Sequence, residues 1–246
     1  MRFKIVVPSF NSVDFLPKTL ASIEMQRNKN FDVCVIDDGS TLKAQRSIIQ
    51  DFAARNGWLT ICHEKNTGAL QSLVEGIKKL NCQDEDVIVV LDGDDWLAHG
   101  KVLDVLEKVY ASGDILLTWG QCEVYPAGKT PMFFAQPIPN RVIEQQLYRD
   151  IPWVFWHPAT FKYLLWRHIR DEDLRDADGR YFPVLKDKAT LFPMLEMAGK
   201  RVKFIDETLY IYNISNPLND FANNEAEIKR VEALLQSRIP YPVLER

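Results

Sequence analysis

Four short apolar runs alternate with helical patterns in the first half of this chain, and that alternation decides what it can fold into. Residues 4–7 are β-branched and apolar and break at Pro8-Ser9-Phe10-Asn11. Residues 31–36 end at Asp37-Asp38-Gly39-Ser40, a turn signal. Residues 59–62 form a third run. Residues 87–91 form a fourth, wholly apolar and bounded by acids, as suits a strand buried on both faces of a parallel sheet. Helical spacing fills the gaps, over 13–27, 42–55 and 68–80, with Asn11 or Ser12 as N-cap of the first helix. Strands alternating with helices predict an α/β fold with a mainly parallel, Rossmann-like central sheet, right-handed crossovers and flanking helices.

The second half is less regular. A helix is expected over 99–111, a strand over 114–119, and a loop over 125–139, which holds four prolines. Residues 153–166 are rich in aromatics. A helix over 186–199 stops at Gly199; strand-like runs follow at 202–205 and 209–212, and a polar helical tail begins at 223. No stretch is rich enough in Gly, Ser or Pro to divide the chain. The expected layout is one domain over 1–220, with a first half (1–110) and a second half (111–220), then a tail over 221–246.

Composition bounds the function. The formal net charge is −4, which gives no bulk electrostatic basis for binding nucleic acid. No run approaches the roughly 18 apolar residues of a membrane span. Cys34, Cys62, Cys82 and Cys122 lie far apart without CxxC spacing. They read as buried free thiols, and the expected location is cytoplasmic.

Chemistry concentrates at strand ends. In open α/β sheets ligands bind beyond the carboxyl ends of the strands, so Asp37-Asp38 and Leu91-Asp92-Gly93-Asp94-Asp95 share one predicted rim. Carboxylates this close repel one another unless a cation or solvent screens them. An Asp-x-Asp at a strand end can offer oxygens to Mg²⁺ or Mn²⁺, with a diphosphate completing the shell. A solvated acidic turn is the plainer reading of that cluster, as an Asx turn is of Asp37-Asp38. Asn66-Thr67-Gly68-Ala69 opens a helix whose backbone N–H groups suit a nucleotide or a simple cap.

Taken in order, Val-Pro-Ser-Phe-Asn, Val-Ile-Asp-Asp-Gly-Ser, Asn-Thr-Gly and Leu-Asp-Gly-Asp-Asp resemble the family 2 glycosyltransferases of the A-type fold, strongly over residues 3 to about 110. Phe192 to Gly199 and Leu209 to Asp220 extend the likeness and resemble a microbial or viral subset. The resemblance implies a nucleoside-diphosphate sugar donor (by default a UDP-sugar), Mn²⁺ or Mg²⁺, and inversion at the anomeric carbon. It implies a nucleoside pocket lined by Pro8, Ser9 and Asn11, Asp38 at the base with Asp37 in support, and Asn66, Gly68 and Gly93 around the donor. Asp92 would lie near ribose and metal, Asp94 would be the metal ligand proper, and Asp95 a further ligand or a brace.

The family often carries its general base in a Glu-Asp pair heading a helix of the second half. Here that place reads Lys186-Asp187. Asp187 is therefore the candidate base, with Lys in place of the usual Glu. A helix N-terminus holds such a carboxylate ionised, as it would a capping acid. His157 is a candidate further metal ligand or a structural histidine. Trp153, Trp156 and Trp166 are an acceptor platform or core, and Lys162 and Arg167 are donor-phosphate contacts or a solvated face. The implied acceptor is a glycan, a lipid-linked group or a protein, and peripheral association with a membrane is compatible. Two rivals stand beside this reading. A nucleotide-sugar-binding scaffold without catalysis finds its hint in Lys186. A sugar-phosphate nucleotidyltransferase would need a Gly-rich basic loop where Pro8-Ser9-Phe10-Asn11 stands.

Overall fold

The computed structural model describes residues 1–128, 135–217 and 224–245. The middle of the 125–139 loop, the boundary at 220 and the first three residues of the expected tail lie outside the described residues. Strands β1 (Phe3–Ser9), β2 (Phe31–Asp37), β3 (Leu59–Cys62) and β4 (Val87–Val90) pair in parallel in the order β3-β2-β1-β4. β1 and β4 are buried along their whole length. The pleat sends alternate residues to opposite faces. Phe3, Ile5 and Val7 meet α1 (Leu16–Glu24), α2 (Lys43–Asn56) and α4 (Val102–Ala111). Val6, Cys34 and Ile36 meet α3 (Ala69–Lys79) on the other side. Each apolar side chain so buried is worth roughly 1.5–3 kcal/mol, and these two layers hold the strand ends in register.

Two local expectations change. α1 is shorter than the 13–27 pattern, because Asn11 adopts a left-handed φ of 47° and Ser12 supplies its backbone carbonyl, not its hydroxyl, to Phe15 and Leu16 N–H. Neither side chain caps the helix. Cys62 is exposed, since β3 is the edge of the sheet; Cys34 is buried, Cys82 and Cys122 are intermediate, and all four are free thiols.

The second half completes one eight-stranded sheet in the order β3-β2-β1-β4-β7-β6-β8-β5. Here β5 is Trp96–Leu97, β6 Leu117–Tyr125, β7 Thr160–Lys162 and β8 Val202–Asn213. β7 runs antiparallel to both β4 and β6, β5 antiparallel to β8, and β6 parallel to β8. The sheet is thus parallel in its first half and mixed in its second. The strand expected at 114–119 lies later, and the runs at 202–205 and 209–212 are one strand, bent by register shifts opposite Gly120 and Gln121.

Short α5 (Asn140–Glu144) and α6 (Tyr163–Trp166) precede α7 (Lys186–Ala198), which is buried from Ala189 to Ala198, and α8 (Glu225–Ser237). α8 docks through Val231 and Leu235. Glu196 of α7 pairs with Arg149 at 2.5 Å and accepts from Tyr241 N–H at 2.9 Å. No described helix is long and apolar enough to cross a membrane.

Candidate active site

The carboxyl ends of β1, β2 and β4 face the start of α7 across a cavity of about 310 Å³. From the first half it is lined by Pro8, Ser9, Asp38, Asn66, Gly68, Asp92, Gly93, Asp94 and Asp95. From the second half come Trp153, Trp156, His157, Lys186, Asp187, Asn213 and Asn216. Chain segments far apart in sequence thus form one concave, partly polar site, the usual setting for a small-molecule ligand.

The floor is built by close backbone approach. A Cβ on Gly93 would stand 2.6 Å from Ser9 Cβ and 3.0 Å from Pro8 O, so only glycine lets the β4 turn lie on the end of β1. Ser9 is itself buried, its hydroxyl bonded to Ser12 Oγ at 2.8 Å and accepting from Gln45 Nε2 at 2.7 Å. At the end of β2, Gly39 has a φ of 74° and presses on the Lys65–Asn66 backbone, which brings the Asn66-Thr67-Gly68 turn to Asp38. Asp38 Oδ1 accepts from Thr67 N–H at 2.9 Å and Thr67 Oγ1 at 2.7 Å; Oδ2 accepts from Gly68 N–H at 2.8 Å. His63 Nδ1 lies 2.8 Å from Asp38 Oδ1, and its Nε2 lies 2.9 Å from Glu75. Burial pushes Asp38 up, but these bonds prevail and hold its carboxyl below the usual range.

Five of the candidate residues stand off the cavity wall. Asp37 is fully buried, pairs with Arg46 Nε at 2.7 Å and accepts from Ser40 N–H at 3.1 Å, so it braces the β2 turn. Asn11 Oδ1 accepts from Thr41 N–H at 2.9 Å, tying the β1 and β2 loops together. Lys162 pairs with Glu85, Arg167 with Asp84, and Trp166 stacks on Phe161, none of them on the cavity.

The acidic turn divides its work. Asp95 is buried, accepting from Tyr210 OH at 2.8 Å on one oxygen and from Asn213 N–H at 2.7 Å on the other. Burial, then the charges of Asp94 and Asp92, raise its pKa well above the ordinary value. Asp94 receives Asn216 Nδ2 at 2.7 Å on Oδ2, and Asn213 Nδ2 donates to its backbone carbonyl at 3.1 Å. Burial and the Asp92 charge raise its pKa too. Asp92 moves the other way: burial opposes, but the ammonium of Lys186, hydrogen-bonded to Oδ1, holds it below the usual range.

Across the cavity, His157 stacks on Tyr210 with centroids 4.8 Å apart, and its Nε2 stands 3.7 Å from Asp187 Oδ2. Its Nδ1 is buried without a hydrogen-bond partner among the described residues. Asp187 is the second residue of α7, with its side chain 41% exposed. Trp153 stands edge-on to Phe155 and Phe192 as well as lining the cavity. Tyr210, Asn213, Asn216 and His63 complete the site without having been assigned roles from sequence. The repeated Tyr and Asn of 210–216 mark such a segment, and His63 directly follows a strand end, but their partners lie too far away in sequence to be inferred.

A sequence profile of Glycosyl transferase family 2 matches residues 4–169. The chain is similar to an uncharacterized glycosyltransferase, EpsJ, of Bacillus subtilis (strain 168), at 23% identity over 96% of this chain and 68% of EpsJ. Its fold is similar to that of S. aureus TarS 1-349 in complex with UDP-GlcNAc, with a TM-score of 0.70 and 18% identity over 96% of this chain and 66% of that one. It is similar also to the mannosyltransferase PcManGT from Pyrobaculum calidifontis in complex with GDP-Man and Mn²⁺, with a TM-score of 0.59 and 18% identity over 96% and 62% of the two chains. The chain spans about two thirds of each of these relatives, and 39% of a longer TarS chain. The α/β architecture is that of the A-type glycosyltransferases, and the chain belongs to glycosyl transferase family 2.

Proposed function

We propose that the cavity carries out an inverting transfer of a sugar from a nucleoside diphosphate to an acceptor hydroxyl. The observation that carries this reading is the convergence of Asp38, Asp92, Asp94 and Asp187 on one cavity from both halves of the chain. In this reading the nucleoside lies between Pro8, Asp38 and the Asn66–Gly68 turn, and the diphosphate lies over Asp92 to Asp94. Asp38 is already engaged by Thr67, Gly68 and His63, so it meets a base with its remaining acceptor capacity and sets the shape of that pocket.

Asp187 is the base. It takes the acceptor proton as the acceptor oxygen bonds to the anomeric carbon and the bond to the diphosphate breaks on the opposite face. Its side chain is exposed into the cavity, and it stands in the first turn of α7. Asp94 fits a divalent ion, because only one of its oxygens is engaged by another side chain among the described residues. Asp95, with both oxygens committed, does not. When bound, such an ion would offset charge on the leaving diphosphate. His157 Nε2 stands 3.7 Å from Asp187 Oδ2, and we assign it to orienting the base. The acceptor enters beside Trp153, and the four free thiols fit a reducing, cytoplasmic setting.

The experiment is a thermal-shift screen of UDP-GlcNAc, GDP-mannose and dTDP-glucose, each with and without Mn²⁺. Binding at about 100 times Kd stabilises a fold by about 2.7 kcal/mol, so at least one donor should raise the melting temperature by several degrees. If every donor leaves it unmoved under both conditions, the donor-site reading fails. A donor that binds but is never turned over with any acceptor or water favours the scaffold reading.

A further inference from the structure

The lysines on the cavity wall are Lys186 and Lys188. Lys188 turns to Glu232, away from the acidic turn, whereas Lys186 turns into it and rests on Asp92. The Lys186 side chain is only 11% exposed. Lysine is rarely buried unless paired. An ammonium has three N–H donors, and among the described residues Asp92 is the hydrogen-bond partner of this one. The remaining donors therefore sit at the acidic strand end with capacity for another anion.

Three carboxylates this close explain why a cation is wanted there, and the fold leaves a divalent ion only one oxygen each on Asp92 and Asp94 among the described residues. Asp92 Oδ1 is taken by Lys186, Asp94 Oδ2 by Asn216, and both oxygens of Asp95 by Tyr210 and Asn213. No group of three or more His, Cys, Asp or Glu among the described residues is arranged to hold a metal ion. An ion on Asp94 would have to share the turn with the ammonium, and like charges repel across such distances. Lys186 also heads α7 immediately before Asp187, so the cation and the base are carried on one rigid element.

We propose that Lys186 is a resident cation of the donor site: its ammonium neutralises Asp92, donates to the donor diphosphate, and lets a nucleoside diphosphate bind without a divalent ion. The inference rests on the donor-site reading above. It assigns the Lys at this position a binding role and removes it as a sign of lost activity.

The test is calorimetric titration of the full chain with UDP and with GDP, first in excess EDTA and then in Mn²⁺, together with electron paramagnetic resonance of Mn²⁺ alone. Wild type should bind one of the nucleotides in EDTA within about threefold of its affinity in Mn²⁺. Loss of a charge-assisted contact costs about tenfold or more, so K186Q should bind at least about tenfold more weakly in EDTA, recover in Mn²⁺, and bind Mn²⁺ alone more tightly than wild type. K186R should keep binding in EDTA, which separates charge from fold, and circular dichroism verifies that each variant is folded. Binding by wild type only in Mn²⁺, unchanged in K186Q, overturns the inference while leaving the donor site standing. No nucleotide binding by wild type under either condition overturns both.

Discussion

Asp95 commits both carboxylate oxygens to the fold, while its neighbour Asp94, on the cavity wall, has only one engaged by another side chain among the described residues. Asp95→Ala would leave Tyr210 OH and Asn213 N–H buried without an acceptor and should cost about 2–4 kcal/mol in urea unfolding. Asp95→Asn keeps an acceptor and should cost clearly less. If Asp95 were a metal ligand instead, both variants would weaken Mn²⁺ binding alike and leave stability near wild type. His63 supplies the pH-dependent counterpart. Burial lowers its pKa, but the bonds to Asp38 and Glu75 prevail and raise it. A raised folded value means stability that is fully present below the ordinary pKa of about 6.5 and lost as pH rises through the folded one. Melting temperatures should therefore fall with rising pH across that window in wild type and stay flat in His63→Gln; equal slopes would contradict the pairing. At this scale the sequence was legible where the chemistry was local. Asp92 and Asp94 sit in one turn and announce themselves, whereas Asn216 and Tyr210 reach that turn from more than a hundred residues away.

Among the elements, α3 shows how tightly the site's supports are packed. Gly76 lies mid-helix, where alanine would ordinarily gain up to about 1 kcal/mol in helix propensity. A Cβ there would stand 2.5 Å from Val6 Cγ1 and 2.9 Å from Ile36 Cδ1, both in the core under the β1 and β2 ends. Gly76→Ala should therefore be a net loss of about 1–3 kcal/mol, read by chemical unfolding; a gain in stability would mean that α3 stands off the sheet. The first four strands and α2 to α4 were readable because their apolar periods are local. The N-cap of α1 was not, since its geometry comes from a left-handed Asn11 held by Thr41 of another loop. β5, two residues long, and β7, three, carry too little pattern to stand out. They exist because β8 and β4 offer them edges.

Across the whole molecule, the parallel half supplies the acidic rim and the mixed half supplies the wall that faces it. Alternation along the chain reveals the first arrangement. The second depends on pairings such as β4 with β7 and β6 with β8, which join residues more than seventy apart in sequence and so leave no local trace. The family resemblance nevertheless singled out Lys186-Asp187, and the fold carries that pair to the cavity opposite Asp92. The central claim is that this meeting of halves makes Asp187 the base for sugar transfer. Its most direct test is the steady-state turnover of Asp187→Asn set beside its donor affinity. General-base loss predicts a fall in kcat of about 10²- to 10⁴-fold, with the calorimetric Kd for the donor within about threefold of wild type. Turnover near the wild-type rate, or a loss of donor affinity that accounts for the whole fall, would contradict it.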